Sequence, residues 1–361
     1  MDLRVFCYEQ GRVSTTVSLP SSLPLPLPAS APAPRDRRRA RNVGTAAATV
    51  VPVWSNPLLP AGQDPQVAMI DGTYYYCESR ADGIFIRAAA DFRDVGRQPA
   101  HCVWAPAQQG PASQNLWAPE LELIDGRCHI YFAADDGHNA NHRMWVLVAE
   151  GRNPFGPYTL HGPLATDGWA IDGTTFADET GQRYFVWSGW PGEVDGQQNL
   201  YLAKMASPTQ LEGPRVRLAQ PDQRWERRGL PLLEGPQVLQ RGGRTFIVYS
   251  ASGSWTEHYC LGLLVFRGGD LMDPAAWEKA GRVFSKNRHG WGVGHCGFTV
   301  APDGTDWMLY HSKTLRTDGW GDREVRAQPF MWDARGWPIF GEPRPTGLMA
   351  PGRPLSRRLA A

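Results

Sequence analysis

The sequence predicts an all-β fold, a five-bladed β-propeller preceded by an extended N-terminal segment. Three observations carry that expectation. Beyond Trp54 helical periodicity is scarce, and short aromatic and β-branched runs end in Gly, Asp or Asn. A turn followed by an aromatic-rich strand recurs five times, with its glycines (Gly72, Gly126, Gly181, Gly243 and Gly304) 54, 55, 62 and 61 residues apart. That period holds four strands and their loops, and four-stranded units repeat as blades around a central channel. The rival architecture is a sandwich with accidentally similar hairpins. It does not explain the residues that precede each turn.

The N-terminal segment comes first. Residues 17–50 are dense in Pro, Ala and Arg, and Pro20, Pro24, Pro26 and Pro28 remove the donors that helix or sheet requires. The chain therefore divides into a low-complexity tail or leader, 1–50, and a propeller body, 51–361. A secretion leader is the competing reading, since Ala29-Ser30-Ala31 and Ala31-Pro32-Ala33 resemble small-residue cleavage sites. Against it, proline breaks the apolar stretch, and Asp2 and Glu9 stand where positive charge belongs. The run Arg35-Asp36-Arg37-Arg38-Arg39 reads as solvated tail.

The repeats follow in order. Asp71-Gly72 leads TYYYCES, Asp125-Gly126 leads RCHIYFAADD, and Glu179-Thr180-Gly181 leads QRYFVWSGW. Arg241-Gly242-Gly243 leads RTFIVYSAS, and Asp303-Gly304 leads TDWMLYHSK. Asp-Gly and Gly-Gly suit hairpin turns because those turns need positive φ. A helix of one or two turns is expected only over Asp273 to Ala280.

Composition excludes several function classes. Lys+Arg number 37 against 36 Asp+Glu, a net charge of +1, which gives no global attraction for nucleic acid or anionic membrane. No window approaches the roughly 18 apolar residues of a membrane span. The six cysteines are scattered singly with no C-x-x-C pair, so no zinc or redox motif is indicated. Five of them follow the tail, an odd number that suits free thiols in a reducing compartment. A cytoplasmic location is therefore expected ahead of a secreted one. No P-loop, Rossmann fingerprint or G-x-S-x-G elbow is present. His138 and His142 lack a third ligand and read as parts of a polar loop.

Counting back eight or nine residues from each turn glycine reaches Asp64, Ala118, Asp172, Glu234 and His295. Four of the five are ionisable. In a propeller the innermost strands line the channel, so these side chains converge at one mouth. Clustered carboxylates desolvate and repel one another, a cost that marks functional sites. Two chemistries fit: binding of a hard cation such as Ca²⁺, or glycoside hydrolysis by a proton donor and an ionised partner. The tryptophans near the repeat junctions, Trp117, Trp169, Trp187, Trp190, Trp255 and Trp291, favour sugar, whose C–H faces pack on aromatic rings. Each ring alone reads equally as blade packing.

These residues resemble glycoside hydrolase family 43 over roughly 54–350. The resemblance rests on Asp64-Pro65, Trp117-Ala118-Pro119-Glu120, Ile171-Asp172-Gly173 and Glu234-Gly235-Pro236, in order and in blade register. FVWSGWPG (185–192), WERRGLPLLEGPQV (225–238), IVYSASGSWT (247–256), YCLGLL (259–264) and RAQPFMWD (326–333) resemble its α-L-arabinofuranosidase branch. The resemblance implies a cofactor-independent inverting hydrolase. In it Asp64 is the general base, Glu234 the general acid, and Asp172 the carboxylate that raises and orients the acid. It also implies that Arg326 binds sugar hydroxyls, with Trp117 and Trp190 as candidate platforms. His295 matches an axial histidine that can hold Ca²⁺ or Na⁺ through water. Here it reads Gly294-His295-Cys296-Gly297-Phe298, without the polar neighbours that many relatives carry.

The expected activity is release of terminal α-L-arabinofuranosyl units from arabinan, arabinoxylan or their oligosaccharides. β-Xylosidase and endo-arabinanase on the same scaffold are the alternatives, with a non-catalytic carbohydrate-binding propeller behind them. The expected partner is a pentose-containing oligo- or polysaccharide, with no nucleic acid and no membrane. Oligomeric state leaves no signature in the sequence.

Overall fold

The computed structural model describes residues 54–349. The tail assigned to 1–50 lies outside the described residues. Five antiparallel sheets follow one another along the chain. Blade I runs through Gln66–Ile70, Thr73–Arg80, Gly83–Ala89 and His101–Trp104. Blade II comprises Gln114–Ile124, Arg127–Asp135, Arg143–Ala149 and Tyr158–His161. Blade III comprises Ala170–Ala177, Arg183–Gly189, Asn199–Ser207 and Gln210–Ala219, and blade IV Leu233–Arg241, Arg244–Ala251, Cys260–Phe266 and Trp277–Phe284. Blade V has three strands, Trp291–Val300, Asp306–Lys313 and Arg323–Pro329. The five-bladed propeller expected from the repeat is the fold observed, and the five turn glycines all take positive φ, between 71° and 88°.

The aromatic strands are buried on both faces because each blade is covered by a neighbour on either side. Successive side chains of a strand point to opposite faces. In blade III, Phe185 and Trp187 therefore pack toward blade II, while Tyr184 and Val186 pack toward blade IV. In blade II, Tyr131 and Ala133 face blade III, whereas Ile130 and Phe132 face blade I. The core is thus divided into seams between blades, and this explains why these strands read as continuous apolar runs.

Blade V departs from the four-strand expectation. The segment after Trp54–Asn56 covers its outer edge instead. Leu58 N–H donates to Val325 O at 2.7 Å, Val325 N–H to Leu59 O at 2.9 Å, and Gly62 N–H to Arg323 O at 3.1 Å. The Asn56 side chain acts as a strand partner, donating to Ala327 O at 3.0 Å and accepting from Ala327 N–H at 2.9 Å. This joins the start of the described chain to its last blade. Gly297 helps to complete the ring, since a Cβ there would stand 2.4 Å from Pro65 O of the first blade's entry.

The helix expected over Asp273–Ala280 is a single 3₁₀ turn, Pro274–Ala276, capped by Asp273, which accepts from Ala275 N–H. Trp277 already begins a strand because its ring is needed in the seam between blades III and IV. Among the described residues no helix is long and apolar enough to cross a membrane. Cys77, Cys102, Cys128, Cys260 and Cys296 are free thiols, all but Cys102 buried.

Candidate active site

Each blade's innermost strand begins with a kink. Asp64, Ala118, Asp172 and His295 adopt φ of 47°, 43°, 56° and 44°, a left-handed conformation that side chains seldom take. Strained backbone of this kind concentrates at functional sites. In blade IV the left-handed residue is Gly235 (φ 53°), not Glu234. Strand pairing gives the same alignment: Ile171 opposes Ser188 and Glu234 opposes Ser250, and after the bulge Thr174 opposes Val186 and Gln237 opposes Val248. Glu234 is therefore displaced by one residue from the shared register that counting from the turn glycine assigns it. Glycine suits the kink here, because a Cβ on Gly235 would lie 3.1 Å from the His295 ring.

The displacement gives the carboxylates different surroundings. Asp64, Asp172, Glu234 and His295 line one cavity of ≈ 590 Å³. Asp64 Oδ1 is 3.2 Å from His295 Nδ1, 3.3 Å from His311 Nδ1 and 3.8 Å from Arg323 Nη1. Burial pushes the Asp64 carboxyl up, but the two imidazoles and Arg323 more than offset it and hold it well below the usual carboxylate range. Burial lowers His295, and pushes His311 down to about 4. Near neutral pH both rings are thus uncharged beside an ionised Asp64, whose backbone N–H donates to His311 Nδ1 at 3.4 Å.

Glu234 is in the opposite condition. It is 6% exposed, and burial raises it to about 7 even though the Tyr259 hydroxyl donates to Oε1 at 2.8 Å. Asp172 receives the Gly235 N–H at 3.1 Å, and burial together with the neighbouring Glu234 and Asp64 charges raises it as well. Two such carboxyls do not both ionise easily, so the pair retains a proton where Asp64 retains none. Ser250, the strand partner of Glu234, accepts His295 N–H at 2.8 Å and fixes the histidine beside Asp64.

Beneath this layer lies Glu120, buried and bonded by Gln237 Nε2 at 2.7 Å, its carboxyl raised by burial and by Glu122 and Asp172. Cys296 is fully buried among Val248, Met308 and Tyr310. Among the described residues no three His, Cys, Asp or Glu side chains are grouped to hold a metal directly.

The aromatic wall is built from blades II and III. Trp117 lines the cavity and stacks on His142 with centroids 3.9 Å apart, and Trp169 lines it while stacking on Trp190 at 4.7 Å. Trp190 is 3% exposed and is not among the lining residues, so it supports Trp169 from behind. His142 is not the polar loop residue expected: it is fully buried, with Nδ1 2.9 Å from Asp135 Oδ2 and Nε2 3.1 Å from Asn115 O. Arg326 also stands outside the cavity. Glu324 accepts its Nε–H at 2.6 Å, and His289 O and Arg344 O accept from Nη1 at 2.5 and 3.1 Å. The arginine at the carboxylates is Arg323, on the same strand. Tyr259, His311 and Arg323 were not singled out by sequence reasoning. His311 lies within the fifth copy of the repeated motif, TDWMLYHSK, while Tyr259 and Arg323 lie outside the copies, and only the closed ring brings all three to the carboxylates.

A depressed and a raised carboxyl facing an aromatic cavity at the mouth of a five-bladed channel are the parts of a glycosidase. Residues 54–338 match the sequence profile of Glycosyl hydrolases family 43. The chain belongs to glycoside hydrolase family 43. It is 36% identical over 335 residues to alpha-L-arabinofuranosidase 43 of Humicola insolens, covering 88% of this chain and 68% of that protein. It is 34% identical over 322 residues to an extracellular exo-alpha-(1->5)-L-arabinofuranosidase of Streptomyces avermitilis, covering 84% and 66%. The chain thus spans about two thirds of the length of these curated relatives. The solved alpha-L-arabinofuranosidase of Lactobacillus brevis superposes with a TM-score of 0.77 at 35% identity, over 81% of this chain and 98% of that one. Family 43 glycoside hydrolases need no cofactor for catalysis, and their substrates are carbohydrates.

Proposed function

We propose that this family 43 enzyme releases terminal α-L-arabinofuranosyl units, with inversion, from arabinan-type or arabinoxylan-type chains. The observation that carries the reading is the split between Asp64, held ionised, and Glu234, held protonated to about pH 7, in one aromatic cavity. The α-L-arabinofuranosidases to which the chain is 34–36% identical support arabinofuranose as the sugar.

In this mechanism Asp64 takes a proton from a water that attacks the anomeric carbon, while Glu234 delivers its proton to the departing glycosidic oxygen. Bond making and breaking occur on opposite faces, which inverts the centre. Asp172 does not touch the reacting atoms. Its carboxyl shares a proton with that of Glu234, since the two do not both ionise easily, and its bond from Gly235 N–H orders the backbone beside the acid. Trp117 and Trp169 offer apolar faces to the ring, and Arg323 offers donors to its hydroxyls. A water-shelled Ca²⁺ or Na⁺ beside His295 would add a positive charge on the axis, but no proton transfer passes through it.

Release of p-nitrophenol from the α-L-arabinofuranoside and the β-D-xyloside tests this side by side, for the wild type and Asp64→Asn. Turnover of the arabinofuranoside that disappears in the variant is expected. A dominant xyloside rate would replace the sugar, and no turnover of either by folded protein would overturn the reading.

A further inference from the structure

Opposite the Trp117 wall, the cavity mouth carries a second aromatic pair, on the side of the acid. Trp255 and Trp320 both line the cavity and meet edge to face, 5.4 Å between centroids. Trp255 follows Ser250, the strand partner of Glu234, so it belongs to the acid's own blade. Trp320 comes from the loop between the last two strands of blade V and is 55% exposed. An indole so exposed on an irregular loop is seldom held in one place, yet this one is. Its Nε1–H donates to Ser254 Oγ at 3.1 Å, and Gly319 N–H donates to Trp255 O at 2.8 Å.

The loop is fastened from below by Lys313, a fully buried cation. Its ammonium donates to Asp322 Oδ1 at 2.5 Å and to Gly319 O. The other Asp322 oxygen accepts Leu315 N–H at 2.6 Å. Burying an ammonium is expensive unless it is fully paired, so the pairing of Lys313 across both ends of the loop fixes its course. The fixed product is a flat aromatic surface facing solvent above a deep polar site.

We propose that Trp320, braced by Trp255, is the platform for the sugar ring on the leaving-group side of the scissile bond, and so a residue that sets preference for glycan chains over simple glycosides. The proposal rests on the glycosidase reading above. Glu234 must reach the departing oxygen, so the departing ring emerges next to blade IV, where this pair stands. The terminal sugar occupies the depth, among carboxylates only 6–17% exposed on their side chains. The next sugar of the glycan must cross the exposed rim. A rigid indole face offers apolar area there without ordering a flexible side chain.

The measurement is kcat/KM for arabinotriose divided by kcat/KM for methyl α-L-arabinofuranoside, whose leaving group has no ring. Trp320→Ala is expected to lower that ratio about tenfold, equivalent to ~1.4 kcal/mol. Trp320→Leu, which keeps apolar bulk but no flat face, is expected to follow it, and Trp320→Phe to retain most of the ratio. A ratio within about twofold of wild type in folded Ala and Leu variants overturns the platform while leaving the glycosidase reading intact. A wild type that cleaves neither compound overturns that reading, and the platform with it.

Discussion

The Tyr259 hydroxyl donates to Glu234 Oε1 at 2.8 Å, and the same ring lies parallel to His311, 5.3 Å between centroids, whose Nδ1 stands 3.3 Å from Asp64. The acid and the base are therefore braced by adjoining rings, one on each side of a stack. This couples their positions through a ring that carries no charge, because Tyr259 is far too deeply buried to ionise.

The pH dependence follows from that arrangement. Glu234 works protonated and titrates near 7, so kcat/KM falls as pH rises through about 7, approaching tenfold per unit above it. Asp64 works ionised and is held well below the ordinary carboxylate range, so its acid limb lies lower than that of an exposed carboxylate. A profile of kcat/KM measured from pH 4 to 9 is expected to show a plateau on the acid side and a decline on the alkaline side. An alkaline limb that remains after Glu234→Gln would assign it to another group.

Tyr259→Phe moves the same limb in a known direction. The phenol stabilises the charged form of Glu234, so its loss raises the carboxyl and shifts the alkaline limb to higher pH. A merely structural tyrosine would lower activity at every pH equally. The readout is the shift of the limb, by up to about one unit for one buried hydrogen bond to a charged group.

Glu234→Ala separates protonation from binding. Natural glycosides need a proton on the leaving oxygen, so their turnover is expected to fall at least ~10²-fold. p-Nitrophenolate leaves with little help, so the aryl glycoside loses less. Equal losses on the two substrates would remove the acid role from Glu234.

Much of the site could be read before folding, and the reasons for the exceptions are physical. Asp64, Asp172 and His295 share a kink that recurs in each blade, so a count from the turn glycine finds them. The same count finds Glu234 one residue out of register, because the kink in blade IV moves to Gly235 and the shorter span before the turn compensates. Arg323 and Arg326 lie three apart on one strand, on opposite faces. Which face meets the cavity depends on where the strand sits in the ring, and sequence periodicity does not encode that. Trp190 and Trp169 stack on each other, and only the packing decides which of them is the outer ring. The three-stranded blade V was hidden because its outer edge is covered from the far end of the described chain, by the Asn56 side chain and the irregular backbone of Leu58, Leu59 and Gly62 rather than by a strand pattern.

Closure of the ring through Asn56 is itself open to measurement. Asn56 is 1% exposed, and its amide satisfies both the carbonyl and the N–H of Ala327. Asn56→Ala leaves both backbone groups buried without partners, each a penalty of roughly 1–3 kcal/mol. The expected loss is about 2–6 kcal/mol, read as a lowered midpoint in urea with the slope unchanged. Asn56→Asp is a sharper probe: it keeps the acceptor for Ala327 N–H but sets a carboxylate oxygen against Ala327 O. It is expected to be at least as damaging as alanine at pH 7 and to recover partly at low pH, where the protonated carboxyl can donate again. If both variants unfold at the wild-type midpoint, the ring is closed by the neighbouring backbone bonds alone, and Asn56 only fills space.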